Sequence, residues 1–229
     1  MKSFLVIGVG RYGRHLCKKL YELGYDVMAV DRNEDCIEPV LPYTLNSMIG
    51  DSTKSEFIKS IGVSNFDACF VAIGDDFQTS LETTSLLSEC GAKYVVSRAS
   101  RDTQAKFLLR NGANEVVYPE RQLAEWAAIR YSSNNISNYI ELPGENSIFE
   151  CKVPRHWAGK SILELEIRKR HNVNIMAIKK DGEWDMRITP HIKFEENQYM
   201  LVYGADKDLE KFFHFDSSNF STGGEEDED

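Results

Sequence analysis

The stretch Phe4-Leu-Val-Ile-Gly-Val-Gly-Arg-Tyr-Gly-Arg-His-Leu-Cys-Lys-Lys-Leu20 places a glycine-rich turn between a strand-like apolar run and a helix-like run. In a turn of this kind Gly8 permits the sharp bend, Gly10 lets backbone N–H groups approach a phosphate, and Gly13 lets the helix pack closely on its strand. The N-terminus of the helix adds free amides and a partial positive charge, which favour a bound anion. The pattern therefore predicts a nucleotide phosphate site, and a purely structural turn is the alternative.

A second predicted strand follows the helix at 26–30 and leads directly into the acidic residue Asp31. This residue lies roughly 20 positions beyond the glycine turn, where a Rossmann-type fold binds the two ribose hydroxyls. A carboxylate at that position disfavours NADP because it repels the 2′-phosphate, although the neighbouring Arg32 weakens this discrimination. We therefore expect Asp31 and Arg32 to lie beside the ribose of a bound nucleotide.

Apolar strands alternate with helical segments over the first half of the chain, which is typical of a parallel sheet with helices on both faces. Six strands of this kind predict a Rossmann-like, doubly wound α/β domain, with strands at 4–7, 26–30, 46–49, 68–73, 94–98 and 115–118. Ligands bind beyond the carboxyl ends of such strands, so the segments found there are expected to line the pocket. The candidate lining residues are Asp51, Ser52, Ile73, Gly74 and Arg98.

A helix is predicted at 121–131, and the polar stretch 132–135 after it is a natural hinge. Beyond the hinge the pattern changes to alternating strands interrupted by helices, which predicts a smaller α+β lobe. Ser161 and Glu164 form a capping-box pattern at the start of a helix that reaches about His171. The other elements predicted in this lobe are strands at 149–153, 173–179, 184–188 and 199–203 and a helix at 206–215.

The predicted domain organisation has a nucleotide-binding domain at 1–134, a second domain at 138–215 and a tail at 216–229. The tail contains serine and glycine residues and ends in the acidic run Glu225-Glu-Asp-Glu-Asp229. Such a composition cannot bury enough apolar surface to order itself, so we expect the tail to be disordered.

The chain of 229 residues carries a formal net charge of −9, which argues against a general nucleic-acid-binding protein. No apolar run is long enough to span a bilayer, and the N-terminus lacks the features of a signal peptide, so we expect a cytosolic protein. The five cysteines are scattered without a CxxC pair, which indicates neither a disulfide framework nor a zinc site. The five histidines likewise lack the spacing of metal ligands.

Several short motifs together point to a known family. They are Gly8-Val-Gly-Arg-Tyr-Gly13, Val30-Asp31, Gly50-Asp-Ser-Thr53, Val71-Ala-Ile-Gly74, Tyr118-Pro-Glu-Arg121 and Asn172-Val-Asn-Ile-Met-Ala-Ile-Lys179. On these motifs the chain resembles the RCK (regulator of K+ conductance) subunits of bacterial Ktr/Trk-type potassium uptake systems, in the Ktr-like branch. The resemblance implies a regulatory subunit rather than an enzyme, held at the cytoplasmic face of the membrane. It also implies dimers that assemble into an octameric ring beneath a membrane-embedded potassium-translocating subunit.

The resemblance assigns ATP and ADP to the first domain and adds Tyr12 to the nucleotide-binding residues. In the Ktr-like branch the arginine at the position of Arg11 reaches the γ-phosphate, so Arg11 would distinguish ATP from ADP; a solvated surface arginine is the alternative. Glu120 would face the nucleotide site of the partner subunit, where it would help to hold Mg2+, Ca2+ or Na+ against the phosphates. An ion pair between Glu120 and the adjacent Arg121 is the alternative for that residue.

The same resemblance implies a second-messenger site for cyclic di-AMP in the second domain. Arg168 would meet a phosphate of this ligand, and aliphatic side chains would flank its adenines. The alternative is a solvated basic helix end, which the helix dipole alone would favour. The residues that match the family's second-messenger positions are Ile162, Leu163, Arg168, Asn174 and Ile175.

Two other functions stay open at the level of sequence. NAD+ and NADH could replace ATP and ADP as the ligands, as in the Trk-like branch. Arg11 is the one residue that favours ATP over NAD+ in the sequence. An NAD-dependent oxidoreductase would use the same strand, turn and helix. The second lobe is small for a substrate domain, however, and no His/Asp pair or Tyr-x-x-x-Lys constellation for proton transfer falls at the expected crevice.

Overall fold

The structure, a computed structural model, describes residues 2–132 and 135–220, without the side chains of 132 and 214–220. The chain divides between Leu123 and Ala124 into two compact units. The predicted boundary at 134 assigned a whole helix to the first domain, whereas the division falls inside that helix. Each unit has its own sheet and its own hydrophobic core.

The first unit is built on six parallel strands, β1 (Ser3–Ile7), β2 (Asp26–Asp31), β3 (Asn46–Ile49), β4 (Ala68–Val71), β5 (Val95–Arg98) and β6 (Glu115–Val117). They pair in the order β3-β2-β1-β4-β5-β6. The central strands are apolar and largely buried, as expected when helices cover both faces of a parallel sheet. This strand order is that of the Rossmann fold and confirms the predicted doubly wound sheet.

Helices cover the sheet of the first unit. They are α1 (Arg11–Glu22), α2 (Glu34–Ile37), α3 (Ser55–Ile61), α4 (Phe77–Glu89) and α5 (Asp102–Arg110), with 3-10 turns at Glu38–Tyr43 and Val63–Asn65. Helix α6 (Pro119–Ser132) follows, and the division between the units falls within it. Helix α1 buries Gly13, Cys17 and Leu20, which recur at helical spacing. Helix α6 begins at Pro119, two residues before the predicted start, because the first position of a helix needs no N–H donor.

Helix α4 packs on the sheet through buried hydroxyl groups. Thr83 Oγ1 lies 2.8 Å from Ser52 Oγ, and Thr84 Oγ1 lies 2.8 Å from Ser97 Oγ. Both threonines are fully buried, so these contacts satisfy polar groups that would otherwise be costly to bury. They attach α4 to the segment after β3 and to β5.

The second unit contains a five-stranded antiparallel sheet, which confirms the predicted smaller α+β lobe. Its strands are β7 (Ile136–Leu142), β8 (Asn146–Lys152), β9 (Asn174–Lys180), β10 (Glu183–Asp185) and β11 (Tyr199–Ala205), paired in the order β10-β9-β11-β8-β7. Its helices are α7 (Ile162–Leu165), α8 (Ile167–His171) and α9 (Asp206–Phe220), with a 3-10 turn at Arg155–Trp157. Phe149, Trp157, Phe194 and Phe212 lie in one core cluster with Met200.

The strands of this unit differ most from the prediction at β7 and β10. Strand β7 was not predicted, because only Ile136 is fully buried along it and the apolar alternation is weak. The strand predicted at 184–188 ends at Asp185, whose carboxylate accepts the N–H of Arg187 at 3.0 Å and turns the chain. Met186 is consequently 64% exposed.

The helices of this unit also depart from the prediction. The capping box between Ser161 and Glu164 is present, but the single helix expected up to about His171 is split at Glu166, which has a φ of 47°. Helix α9 continues past the predicted end at 215, so residues 216–220 are helical rather than disordered. They extend a helix that Leu209 and Phe212 anchor in the core. The rest of the predicted tail, at 221–229, lies outside the described residues.

Across the described ranges, no helix combines the length and the apolar character that crossing a bilayer requires. No disulfide joins the five cysteines. Cys17, Cys69 and Cys151 are buried, whereas Cys36 and Cys90 are half-buried. Burial raises the pKa of the Cys17 and Cys69 thiols to about 12.

Candidate functional site

A pocket of about 700 Å³ lies in the first unit at the carboxyl ends of β1, β2, β4 and β5. Open α/β sheets bind ligands in this crevice, and the volume is within the usual range for small-molecule sites. Every residue predicted to contact the nucleotide lines the pocket, with the exception of Gly13. The lining residues among those predicted are Gly8, Gly10, Arg11, Tyr12, Asp31, Arg32, Asp51, Ser52, Ile73, Gly74, Arg98 and Glu120.

The glycine-rich turn between β1 and α1 forms one wall of the pocket. Gly8 has a φ of +89°, and a Cβ on it would lie 2.9 Å from the side chain of Ile73. A Cβ on Gly13 would overlap the carbonyl oxygen of Gly8, so Gly13 serves the packing of α1 against the turn. Gly10 differs from both, because no atom lies within 4 Å of its Cβ position and the residue is exposed. Gly10 therefore leaves the backbone open to a ligand.

The N-terminus of α1 is suited to an anion. Gly10 is the N-cap and supplies no side-chain hydrogen bond, and the first turn contains no acidic residue. The first amides of a helix lack partners within it and carry its partial positive charge. Arg11 is exposed in this turn and forms no ion pair with any residue that the structure describes, whereas the nearby Arg14 donates to the carbonyl oxygen of Val9 at 3.0 Å.

Asp31 connects the end of β2 to the glycine turn. Its Oδ2 accepts the N–H of Val9 at 2.8 Å, and its Oδ1 accepts the N–H of Asn33 at 2.9 Å. These bonds orient the carboxylate, and each oxygen keeps a lone pair for a further donor such as a ribose hydroxyl. The arrangement suits a nucleotide whose ribose carries both hydroxyl groups.

Arg98, at the end of β5, forms a second wall. Its guanidinium packs on Gly74, where any Cβ would overlap it, and lies 5.9 Å from the centroid of the Tyr12 ring. The side chain is only 17% exposed, and it forms an ion pair with Glu120. Burial raises the pKa of the Tyr12 hydroxyl; the charge of Arg98 opposes this rise and the charge of Glu120 adds to it.

Glu120 does not form the ion pair with Arg121 that the sequence offered as an alternative. Glu120 contacts Arg98 rather than the adjacent Arg121, and Arg121 Nη1 lies 3.2 Å from Asp102 Oδ1. Adjacent residues of a helix point in different directions, which explains why the alternative pair between Glu120 and Arg121 does not form.

The loop that contains Asp76 follows a strand and was expected to line the pocket, but Asp76 was not named among the candidate site residues. Asp76 is the N-cap of α4, because its Oδ1 accepts the N–H of Thr79 at 3.1 Å and its Oδ2 accepts the Thr79 hydroxyl at 2.7 Å. Thr79 thereby lowers the pKa of Asp76, and Thr53 lowers the pKa of Asp51 in the same way. An aspartate before a helical run, with a hydroxyl residue three positions later, could have predicted this cap. The other unassigned lining residues are Ile7, His15, Asn33, Cys36, Gly50, Ala72, Asp75, Thr79, Pro119 and Leu123.

Within the described residues, no group of three or more His, Cys, Asp or Glu side chains could hold a metal ion by itself. Glu120 alone is thus insufficient as a cation site in one chain. A cation at Glu120 would need further oxygen ligands, such as those of nucleotide phosphates.

The residues predicted for the second-messenger site lie on α7, α8 and β9. Ile162 and Ile175 pack against the core of the second unit. Leu163 is 58% exposed, and Asn174, the first residue of β9, is half-buried. Arg168 is exposed and forms no ion pair with a described residue, whereas the next two cations of α8 are both paired. Leu163 and Arg168 are therefore the side chains of this set most accessible to a ligand.

Known families match both units of the chain. Residues 4–119 match the TrkA-N domain, and residues 148–215 match the TrkA-C domain. The chain is 36% identical over 211 residues to Ktr system potassium uptake protein C of Bacillus subtilis (strain 168). The aligned region covers 92% of this chain and 96% of that protein. It is 34% identical over 211 residues to Ktr system potassium uptake protein A of the same organism, covering 92% and 95% of the two chains.

Solved structures share the fold at lower identity. The GsuK channel is 19% identical with a TM-score of 0.66, over 100% of this chain and 40% of that one. The GsuK channel bound to NAD is 20% identical with a TM-score of 0.53, over 96% and 39% of the two chains. GsuK bound to ADP is 17% identical with a TM-score of 0.50, over 56% and 34%. By its two domain matches and its Ktr relatives, the chain belongs to the RCK family of Ktr and Trk potassium uptake proteins.

Proposed function

We propose that this protein is the cytoplasmic regulatory subunit of a bacterial potassium uptake system, controlled by ATP and ADP in the pocket of the first unit. The relatives named Ktr system potassium uptake proteins support the first part, because they match over nearly their whole length. The second part is supported by the glycine turn, the orientation of Asp31 and the cations of the pocket.

The observation that carries the nucleotide proposal is Arg11, exposed in the first turn of α1 without an ion pair among the described residues. A cation in the first turn of a helix is disfavoured by about 0.3–1 kcal/mol unless an anion offsets it. The third phosphate of ATP would supply that anion, and ADP would not. Arg11 therefore provides the contact that separates the two nucleotides.

Regulation by exchange of ATP and ADP requires that the two nucleotides stabilise different states of the protein. A nucleotide that bound both states with equal affinity would not change their relative populations, however tightly it bound. In our proposal these states are shapes of a ring of subunits, octameric as the family resemblance implies, and the ring acts on a membrane-embedded potassium-translocating subunit. Glu120 would approach the nucleotide of a neighbouring subunit and hold Mg2+, Ca2+ or Na+ against its phosphates.

NAD+ or NADH is the second candidate for the same pocket. Asp31 suits it as well as it suits ATP and ADP, because all of these nucleotides carry a ribose with both hydroxyl groups. The fold itself accommodates either ligand, since GsuK has been solved bound to NAD and bound to ADP.

For the second unit we propose a cyclic di-AMP site at the accessible side chains of α7 and α8. Arg168 would bind a phosphate, and the exposed Leu163 would contact an adenine. Ile162, Asn174 and Ile175 would complete the site from α7 and β9.

Isothermal titration calorimetry with ATP, ADP and NAD+ tests the nucleotide proposal. Wild-type protein should bind ATP more tightly than ADP. Replacing Arg11 by alanine should weaken ATP binding roughly ten- to hundredfold and leave ADP binding nearly intact, because one charge-assisted contact is worth about 1.5–3 kcal/mol.

Arg110→Ala is the matched control, since Arg110 is exposed at the end of α5 and does not line the pocket. Equal weakening of ATP and ADP in Arg11→Ala would contradict the role given to Arg11. Tight binding of NAD+ with no binding of ATP or ADP would favour the second candidate.

A further inference from the structure

The guanidinium of Arg98 uses only part of its hydrogen-bonding capacity. Its Nη2 donates to Glu120, whereas its buried Nε has no acceptor among the described residues. A guanidinium carries five N–H donors in a planar fork, which matches the oxygens of a carboxylate or a phosphate. Arg98 is thus a partly satisfied cation in the wall of the pocket.

Glu120 is held much less firmly than its partner. Its side chain is 64% exposed, against 17% for Arg98. Glu120 also lies in the first turn of α6, where the helix dipole stabilises a carboxylate that has no other partner. The pair can therefore open without leaving a buried, unpaired carboxylate.

Both members of the pair line the pocket that contains the glycine turn. A phosphate that reached Arg98 would meet the carboxylate of Glu120 as a like charge. The two anions would compete for one guanidinium, and the phosphate offers more oxygen acceptors to its fork.

We propose that the Arg98–Glu120 ion pair is a latch that the phosphates of a nucleotide open. This inference rests on the nucleotide binding proposed above. In the empty pocket Glu120 neutralises Arg98. In the occupied pocket the phosphate binds Arg98, and the carboxylate of Glu120 is released from the guanidinium. Helix α6 begins at Pro119 and continues past Leu123, so the latch fixes or releases the start of the helix that joins the two units.

Calorimetry of the full chain in metal-free buffer tests the latch with ATP and ADP. Glu120→Gln keeps the shape of the side chain and removes the competing charge, so both nucleotides should bind about three- to tenfold more tightly. Metal-free conditions matter because a cation role for Glu120 would predict weaker binding, and only when the cation is present. Asp102→Asn is the matched control, because it removes the carboxylate paired with Arg121 and Asp102 does not line the pocket. This variant should bind ATP and ADP as tightly as the wild type.

Hydrogen exchange provides a second, independent readout. ATP should speed exchange of the Gln122 amide in the wild type, because this N–H donates to the Tyr118 carbonyl oxygen at 2.9 Å and closes the start of α6. The same amide should already exchange fast in Glu120→Gln. Unchanged or weaker metal-free binding in Glu120→Gln would overturn the latch and leave the proposed function intact. An equal gain in nucleotide affinity in Asp102→Asn would also overturn the latch, because it would show that the loss of any nearby negative charge strengthens binding. A wild-type chain that binds no adenine nucleotide would overturn both proposals.

Discussion

Gly10 and Gly13 lie three residues apart in one motif, and the structure gives them different roles. The Cβ position of Gly13 is filled by the carbonyl oxygen of Gly8, whereas the Cβ position of Gly10 is empty. A methyl group at Gly13 would disturb the packing of α1 against the turn. A methyl group at Gly10 would occupy space that a bound ligand would use.

Gly13→Ala should lower the free energy of unfolding of the first unit by about 1–3 kcal/mol, because a close backbone contact must open to admit the methyl group. Nucleotide binding should weaken with it, since α1 and its N-terminus move away from the turn. Urea denaturation followed by circular dichroism measures the stability, and calorimetry measures the binding.

Gly10→Ala is the companion experiment on the same turn. Its extended backbone conformation suits alanine and no atom lies within 4 Å, so stability should fall only by the roughly 0.5–1 kcal/mol that alanine costs at an N-cap. Its affinity for ATP should nevertheless fall, because the methyl group occupies the approach of the phosphate. Wild-type affinity in Gly10→Ala would show that no ligand approaches the backbone there.

Single residues also mark the limit of what the sequence could predict about the site. The glycine motif was sufficient to predict Gly8 and Asp31 in the pocket, because a strand, a turn and a helix in succession fix their relative positions, and the ends of the predicted strands indicated Gly74 and Arg98. The partner of Glu120 was not predictable in this way. Arg98 lies 22 residues earlier on another element, and only the folded sheet brings the two together.

Among the secondary structure elements, the strands of the first unit were predicted best. The near-continuous apolar runs of its central strands, such as β2 and β4, reflect burial on both faces, which leaves a strong signal in the sequence. The weak signals belong to edge and surface elements of the second unit, such as β7, whose side chains are mostly accessible. The break at Glu166 left no signal, because glutamate at a positive φ is unusual.

The capping box of α7 gives a prediction at this scale. Ser161 Oγ accepts the N–H of Glu164 at 3.2 Å, while Glu164 Oε2 accepts the Ser161 N–H at 2.7 Å and its hydroxyl at 2.8 Å. Ser161→Ala should destabilise the protein by about 1 kcal/mol at neutral pH, as measured by urea denaturation. Ser64→Ala, at an exposed position in a 3-10 turn, should have little effect.

The pH dependence of this effect follows from the pKa of Glu164, which the backbone and side-chain hydrogen bonds of Ser161 lower from its ordinary value. A lowered pKa in the folded state stabilises the protein above the unfolded value of about 4.3, and the contribution is lost as the pH falls through the folded pKa. The stability difference between wild type and Ser161→Ala should therefore shrink in acid. An NMR titration should show a higher Glu164 pKa in the variant, because the hydroxyl bond is lost while the backbone N–H bond of residue 161 remains. An unchanged value would show that the hydroxyl does not lower this pKa.

At the scale of the whole molecule, the separate cores of the two units imply separate responses to ligand and to mutation. A ligand stabilises only the unit that binds it, by about 2.7 kcal/mol at a hundredfold excess over Kd. In scanning calorimetry ATP should therefore raise the transition of the first unit and leave that of the second unchanged.

Phe194→Ala is the reciprocal experiment. Phe194 is fully buried in the core of the second unit, so the loss of its ring should cost that unit about 3–5 kcal/mol and leave the ATP response intact. An equal shift of both transitions by ATP would mean that the two units unfold as one. The two cores could be anticipated from the change of pattern along the chain, but the division inside α6 could not, because a continuous helix carries no marker of it.

The distribution of cysteines makes the native chain a convenient starting point for optical measurements. Cys36 lines the pocket and is half-buried, Cys90 is half-buried away from it, and the other three are buried. Cys17 and Cys69, with a pKa of about 12, keep their protons at neutral pH and react poorly with maleimides. Replacing Cys90 by serine would thus leave Cys36 as the accessible cysteine for attachment of a fluorophore. Because Cys36 lies in the wall of the pocket, a change in fluorescence would report ligand binding.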